Sequence, residues 1–181
     1  MSDVNEREDL RALFDSDSHG LGDEELRDAA LRFVEIAPDD LDAWWALANI
    51  DYWLLRDMEG HALRADARFE EMVSAYRHVI EIDPTDSAGP YNLATCLESA
   101  RLLDEAFDMY VLAGDTESAH PRSEFEWPSW WHYEQAVQVA LDRGDRERAL
   151  SAASKAFETG DAPDPSPEDM VARLSAESRP I

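Results

Sequence analysis

The stretch Ser87–Ala113, SAGPYNLATCLESARLLDEAFDMYVLA, decides how the chain is read. Its first half repeats apolar or small residues at Pro90, Leu93, Ala94, Leu97 and Ala100. Its second half repeats them at Leu103, Ala106, Phe107, Tyr110, Val111 and Ala113. Both follow the i, i+3, i+4, i+7 spacing that lays one stripe of a helix against a neighbour. Leu102 falls near the join, so the stretch predicts two antiparallel helices in a hairpin.

The pattern recurs on both sides. Upstream, Trp44-x2-Leu47-Ala48 opens a pair whose return helix carries Met72-x3-Tyr76-x2-Val79 and stops at Pro84. Downstream, Tyr133-x2-Ala136-Val137-x2-Ala140 is followed by Gly144-Asp145 and then Ala149-x3-Ala153-x2-Ala156. Gly144 supplies the residue that takes positive φ at the turn. An earlier pair matches loosely, with Leu10, Leu13 and Phe14 on a weak helix over 5–16. After the break at Asp17 to Gly22, Asp23 is read as the N-cap of a helix bearing Leu26, Ala29, Ala30, Phe33 and Val34. Ala37-Pro38-Asp39-Asp40 echoes Asp83-Pro84-Thr85-Asp86.

These residues resemble the tetratricopeptide repeat (TPR) family, whose unit of about 34 residues reads W-x2-L-G-x2-Y, then A-x3-F, then P. The opening stretch follows it as Pro90-x2-Leu93-Ala94-x2-Leu97 and Ala106-x3-Tyr110-x2-Ala113. The resemblance implies an all-α fold, a right-handed α-α superhelix of about four TPR-like hairpins forming one domain over residues 1–181. The hairpins are expected at 5–37, 41–84, 87–113 and 130–160. Leu47 to Leu93 is about 12 residues longer than one unit. That surplus around Arg56–Ala67 reads as two lengthened helices meeting near Gly60, with a floppy loop as the alternative. Leu93 to Ala136 is about 9 residues too long, so 114–129 reads as an irregular connection, packed over the array through Phe125 and Trp127. Ser166-Pro167-Glu168-Asp169 has the form of a capping box with proline at the first helical position. The helix it starts, 167–177, reads as a cap that shields the last repeat through Met170, Val171 and Leu174.

Composition narrows the function. The 181 residues carry 41 acidic and 16 basic side chains, a net charge of −25. Repulsion therefore opposes nucleic acid and anionic membranes. Lys155 is the sole lysine, a bias that fits either salt-accumulating halophily or a GC-rich genome. An acidic DNA mimic is disfavoured because the acids are spread over many helix faces. The N-terminal stretch lacks the form of a secretory signal, and no apolar run approaches the roughly 20 residues of a membrane span. With one cysteine, Cys96, no internal disulfide is available, and its place beside Leu93 and Leu97 reads as buried filling. The expected setting is cytoplasmic.

Motifs for catalysis, phosphate binding or paired-cysteine metal sites are missing, so neither an enzyme nor a cofactor is expected. His19, His61, His78, His120 and His132 are scattered. Asp57, Glu59 and His61, or His132 and Glu134, lie close, but at no recognised metal spacing, which leaves a metal-dependent enzyme only as a lesser alternative.

The TPR resemblance implies that the first helix of each pair lines a concave groove for a peptide or partner segment. Projected onto it are Trp45, Asn49, Tyr52 and Trp53, then Tyr91, Asn92, Thr95 and Ser99, then Trp131, Glu134, Gln135 and Gln138. Trp44 takes the family's core tryptophan position. In chaperone-binding members, asparagines at the positions of Asn49 and Asn92 hold a peptide's terminal carboxylate, flanked by Lys and Arg. Here the flanking positions hold Trp45, Trp131 and Gln135, so an acidic terminus would lack charge-assisted donors. A basic or amphipathic protein segment suits an acidic rim better. Two alternatives stay open: the rings pack between helices, or the groove is filled by the chain itself (114–129 or the last helix) within a homo-oligomeric or permanent subunit. The Trp127–Trp131 cluster fits either a covered connection or an interface.

Overall fold

A computed structural model describes residues 3–14, 21–121 and 127–177. The described residues form ten helices and no strand. They divide into two compact units, Met1–Asp83 and Pro84–Ile181. No described helix is long and apolar enough to cross a membrane. The expected packing through Phe125, and the breaks at Asp17 to Gly20 with His19, lie outside the described residues.

The first unit holds α1 (Asp3–Phe14), α2 (Asp23–Ile36), α3 (Leu41–Leu55), α4 (Gly60–Ala65) and α5 (Ala67–Ile82). Helix α3 packs against α2 on one side and α5 on the other. Leu26, Ala30, Phe33, Ala43, Leu47, Phe69, Met72 and Tyr76 are buried between them. Each large apolar side chain so buried contributes about 1.5–3 kcal/mol. Gly22, not Asp23, is the N-cap of α2. Its backbone N–H donates to the Glu25 carboxylate at 3.0 Å, which leaves Asp23 as the first helical residue, where its charge suits the helix dipole. Asp40 and Asp66 cap α3 and α5 by accepting from the N–H two residues on, at 3.1 and 3.0 Å.

The surplus at 56–67 is neither two lengthened helices nor a loop. Helix α3 stops at Leu55, and the surplus winds into α4, one six-residue helix of its own. Gly60 opens α4 at φ 56°, and Asp66 turns extended at its end so that its side chain can cap α5. Leu63 pins α4 by burial.

The second unit holds α6 (Ala88–Ser99), α7 (Leu103–Ala119), α8 (Ser129–Asp142), α9 (Arg146–Glu158) and α10 (Pro167–Glu177), each packed against the next. Two hairpins make the same turn. At the end of α6, Arg101 N–H donates to Glu98 O and Leu102 N–H to Leu97 O; at the end of α8, Gly144 N–H donates to Leu141 O and Asp145 N–H to Ala140 O. This is the Schellman closure, which needs a left-handed residue; Gly144 takes φ 78° and Arg101 takes φ 60°. Leu93 and Ala136 are buried at matching places in these hairpins, and Leu47 is buried in the first helix of its own pair. The hairpins are TPR-like.

The irregular connection expected at 114–129 does not begin at Gly114, because α7 continues to Ala119. A Cβ at Gly114 would stand 2.6 Å from the Tyr133 ring, so this glycine is a contact point where α8 lies against α7. Tyr133 OH then donates to Asp115 at 2.8 Å, and Lys155 of α9 reaches the same carboxylate at 2.6 Å. Ser166 Oγ accepts from Asp169 N–H at 3.2 Å and starts α10 as the capping box predicts. Met170, Val171 and Leu174 are buried.

Candidate functional site

Helix α3, LDAWWALANIDYWLL, is apolar nearly all round and carries no basic residue. Its buried stripe is satisfied by α2 and α5. The remaining stripe, Asp42, Trp45, Ala46, Asn49, Ile50 and Trp53, follows helical spacing and lines an open cleft of about 300 Å³, closed by Phe14 of α1 and Leu26 of α2. That volume is at the small end of ligand pockets. Among the described lining residues Asp42 is the charged one. Trp53 is 57% exposed. Its ring lies beside Tyr52 (5.9 Å) and under the Arg56 guanidinium (4.9 Å). Trp45 is half-buried, edge-on to Tyr76 at 5.8 Å. Asn49 is exposed, and its carbonyl oxygen accepts from Tyr76 OH at 3.2 Å. Trp44 points elsewhere, stacked on His78 at 4.0 Å with its indole N–H on Pro38 O at 2.7 Å.

Thus Trp45, Asn49 and Trp53 come together, while Tyr52 stands at the edge. Asp42, Ala46 and Ile50 are not among the groove residues expected from sequence, although extending the Trp45–Asn49–Trp53 spacing finds them. Phe14 and Leu26 read from sequence only as apolar faces of their own helices, and nothing local places them beside α3.

In the second unit Tyr91, Trp131 and Trp127 form one aromatic cluster. Tyr91 lies 5.2 Å from Trp131 and 5.4 Å from Trp127, and the two indoles stack at 4.7 Å. Trp127, from the connection, therefore rests on two expected groove residues while staying 39% exposed. Asn92, Thr95, Gln135 and Gln138 are half-buried, and Ser99 is exposed. Thr95 hydroxyl donates back to Tyr91 O at 3.1 Å, and Gln138 amide donates to Asp142 at 3.0 Å. Glu134 is drawn into an ion pair with Arg173 of α10 at 3.3 Å.

Beneath the cluster sits a polar core. Glu117 and Ser87 are buried, with Ser87 hydroxyl donating to the carboxylate at 2.6 Å. His132 is 0% exposed, its ring 5.5 Å from Tyr91 and 5.4 Å from Trp131, and neither ring nitrogen has a hydrogen-bond partner. Burial pushes its pKa down to about 4 against a smaller opposing pull from Glu117. Burial raises Glu98 in the same unit, although Tyr110 OH donates to it at 2.7 Å. Burial also pushes the Cys96 thiol up to about 12, so this cysteine is inert filling. Among the described residues no group of three or more His, Cys, Asp or Glu is placed to share a metal ion.

No protein-family model matches the chain. No curated protein matches it either. Among solved structures it is similar to YrrB, described as a TPR protein with an unusual peptide-binding site. The two are 16% identical over 86% of this chain and 85% of that one, with a TM-score of 0.41.

Proposed function

We propose that the chain is a non-catalytic interaction module, with residues 1–181 working as one domain, that binds a segment of a partner protein on the free faces of its first helices. The observation that carries this is the α3 cleft, an apolar hollow between Phe14, Trp45, Ile50 and Trp53 with a largely exposed indole at its rim. An exposed tryptophan beside a preformed hollow is the arrangement of a binding hot spot. The hollow exists before binding, so little ordering cost is added. Asn49, and Asn92, Thr95, Gln135 and Gln138 in the second unit, would bind peptide amides; Tyr52, Tyr91 and Trp131 would add apolar contact. With Asp42 and no cation among the described lining residues, the cleft favours a basic or amphipathic segment over an acidic terminus.

The test is a photo-crosslinking amino acid at position 53 in the full chain, expressed in the native source. A crosslinked protein that disappears when Ala46→Phe fills the cleft supports the reading. Crosslinks that ignore Ala46→Phe, with helical content unchanged, overturn it.

A second reading is favoured by Trp127, which lies on Tyr91 and Trp131: in the second unit the chain fills its own face and the protein acts as a self-associating structural subunit. It predicts a mass by light scattering that rises with concentration and returns to monomer with Trp127→Ala.

A further inference from the structure

Helix α1 is attached differently from the other helices. No described α1 side chain is buried, and Leu10 and Phe14 are only half-buried against Phe33, Ala37 and Ala43. Charge holds it as well. Arg7 donates to Asp40 Oδ2 through Nε (2.9 Å) and Nη2 (2.6 Å), and Arg11 Nη2 reaches the same oxygen at 2.5 Å. Arg11 Nε also pairs with Asp42 at 3.0 Å. Asp40 is buried and caps α3, whereas both arginines are nearly half exposed.

Two features join this seat to the cleft. Asp42 pairs with Arg11 and also lines the cleft, and Phe14 stacks on Phe33 at 6.3 Å while walling the same cleft. The start of α3 is therefore a receptor for a particular helix face: an arginine, an apolar residue three positions on, a second arginine one turn after the first, and an apolar residue three beyond that. In α1 these are Arg7, Leu10, Arg11 and Phe14.

We propose that α1 is an in-chain occupant of part of the partner's seat, and that the partner segment is an amphipathic helix repeating this arrangement, which displaces α1, sets its own second apolar residue in the place of Phe14 and runs on into the cleft. This rests on the proposed function and names the partner's chemistry. Charge complementarity commits it to a basic face, since the seat offers Asp40 and Asp42 and the chain as a whole carries −25. Two such chains repel, which opposes a second copy as the occupant. Displacement is feasible because a peripheral helix without buried side chains opens well below the global unfolding free energy.

The test uses the full chain and, as probe, a fluorescein-labelled peptide with the sequence of residues 3–14. In the wild-type protein the tethered helix competes at an effective concentration in the mM range. The Arg7→Ala, Arg11→Ala double variant loosens that competitor and should bind the peptide about tenfold or more tightly than wild type. Changing both peptide arginines to glutamine, or adding Asp40→Asn to the protein, should weaken binding about fivefold or more. Equal binding to wild type and variant, or binding indifferent to the peptide arginines, overturns the inference. So does dimerisation of the variant, which would mean exchange of α1 between copies. Should the variant lose helical content, hydrogen exchange on the wild-type chain decides. Amides of α1 exchanging about 100-fold faster than those of α3 support displacement, and equal protection overturns it. A crosslink at position 53 that persists when the peptide fails removes this inference alone.

Discussion

Replacing His132 with phenylalanine should remove the acid sensitivity that this side chain gives the second unit. The wild-type imidazole is fully buried with both nitrogens unpartnered, and burial holds its pKa down at about 4 against about 6.5 in an unfolded chain. Between those values the unfolded state binds a proton that the folded state refuses, so stability rises with pH across the window and is lost as pH falls through it. At about 1.4 kcal/mol per pH unit, the full loss below pH 4 is about 3 kcal/mol. Phenylalanine has no such term. At pH 7 it should be near wild type or more stable, because an unsatisfied buried polar group costs about 1–3 kcal/mol. Other groups move stability too. Glu98 and Asp51, raised chiefly by burial, favour the folded state at low pH. Asp40, where hydrogen bonds from Arg11 and Arg7 outweigh burial, and Asp66, bonded to Arg68, lose stability only below the usual carboxylate range. These cancel in the difference between the two proteins. Urea unfolding at half-unit steps from pH 7 to pH 4 should show the variant gaining about 2–3 kcal/mol on wild type. Parallel curves, or an imidazole NMR titration centred near 6.5, would refute the reasoning.

Gly114→Ala forces a methyl into the Tyr133 ring and should cost about 1–3 kcal/mol by thermal unfolding, the opposite of the gain alanine normally brings to a helix. Arg101→Gly relieves the left-handed backbone at φ 60° and should stabilise by about 1 kcal/mol in the same assay. Asp40→Asn keeps a capping oxygen for α3 but loosens Arg7 and Arg11. Its cost should be about 1 kcal/mol given the exposure of both arginines, with faster hydrogen exchange confined to α1. The net charge of −25 predicts a melting temperature that climbs from low to molar salt, and a flat response would show that self-repulsion is unimportant.

What could be read from the chain alone is what depends on near neighbours. Helical phase shows in Leu93, Leu97, Ala106 and Tyr110 because a stripe at 3.6-residue spacing needs only its own helix to be recognised. The turn at Gly144, the cap at Ser166 and the burial of Cys96 are local in the same sense. Tertiary structure decided everything set by residues far apart in the chain. Gly114 reads as the start of an irregular connection until Tyr133 lies over it, and the surplus after Arg56 reads as lengthening until Leu63 is drawn into the core. His132 reads as one histidine among five until rings from α6 and α8 seal it from water. The clamp of Arg7 and Arg11 on Asp40 spans about thirty residues that no periodicity links. Periodicity records which face of a helix is buried; only packing determines what it meets there, because close-packed contacts depend on the shape of both partners.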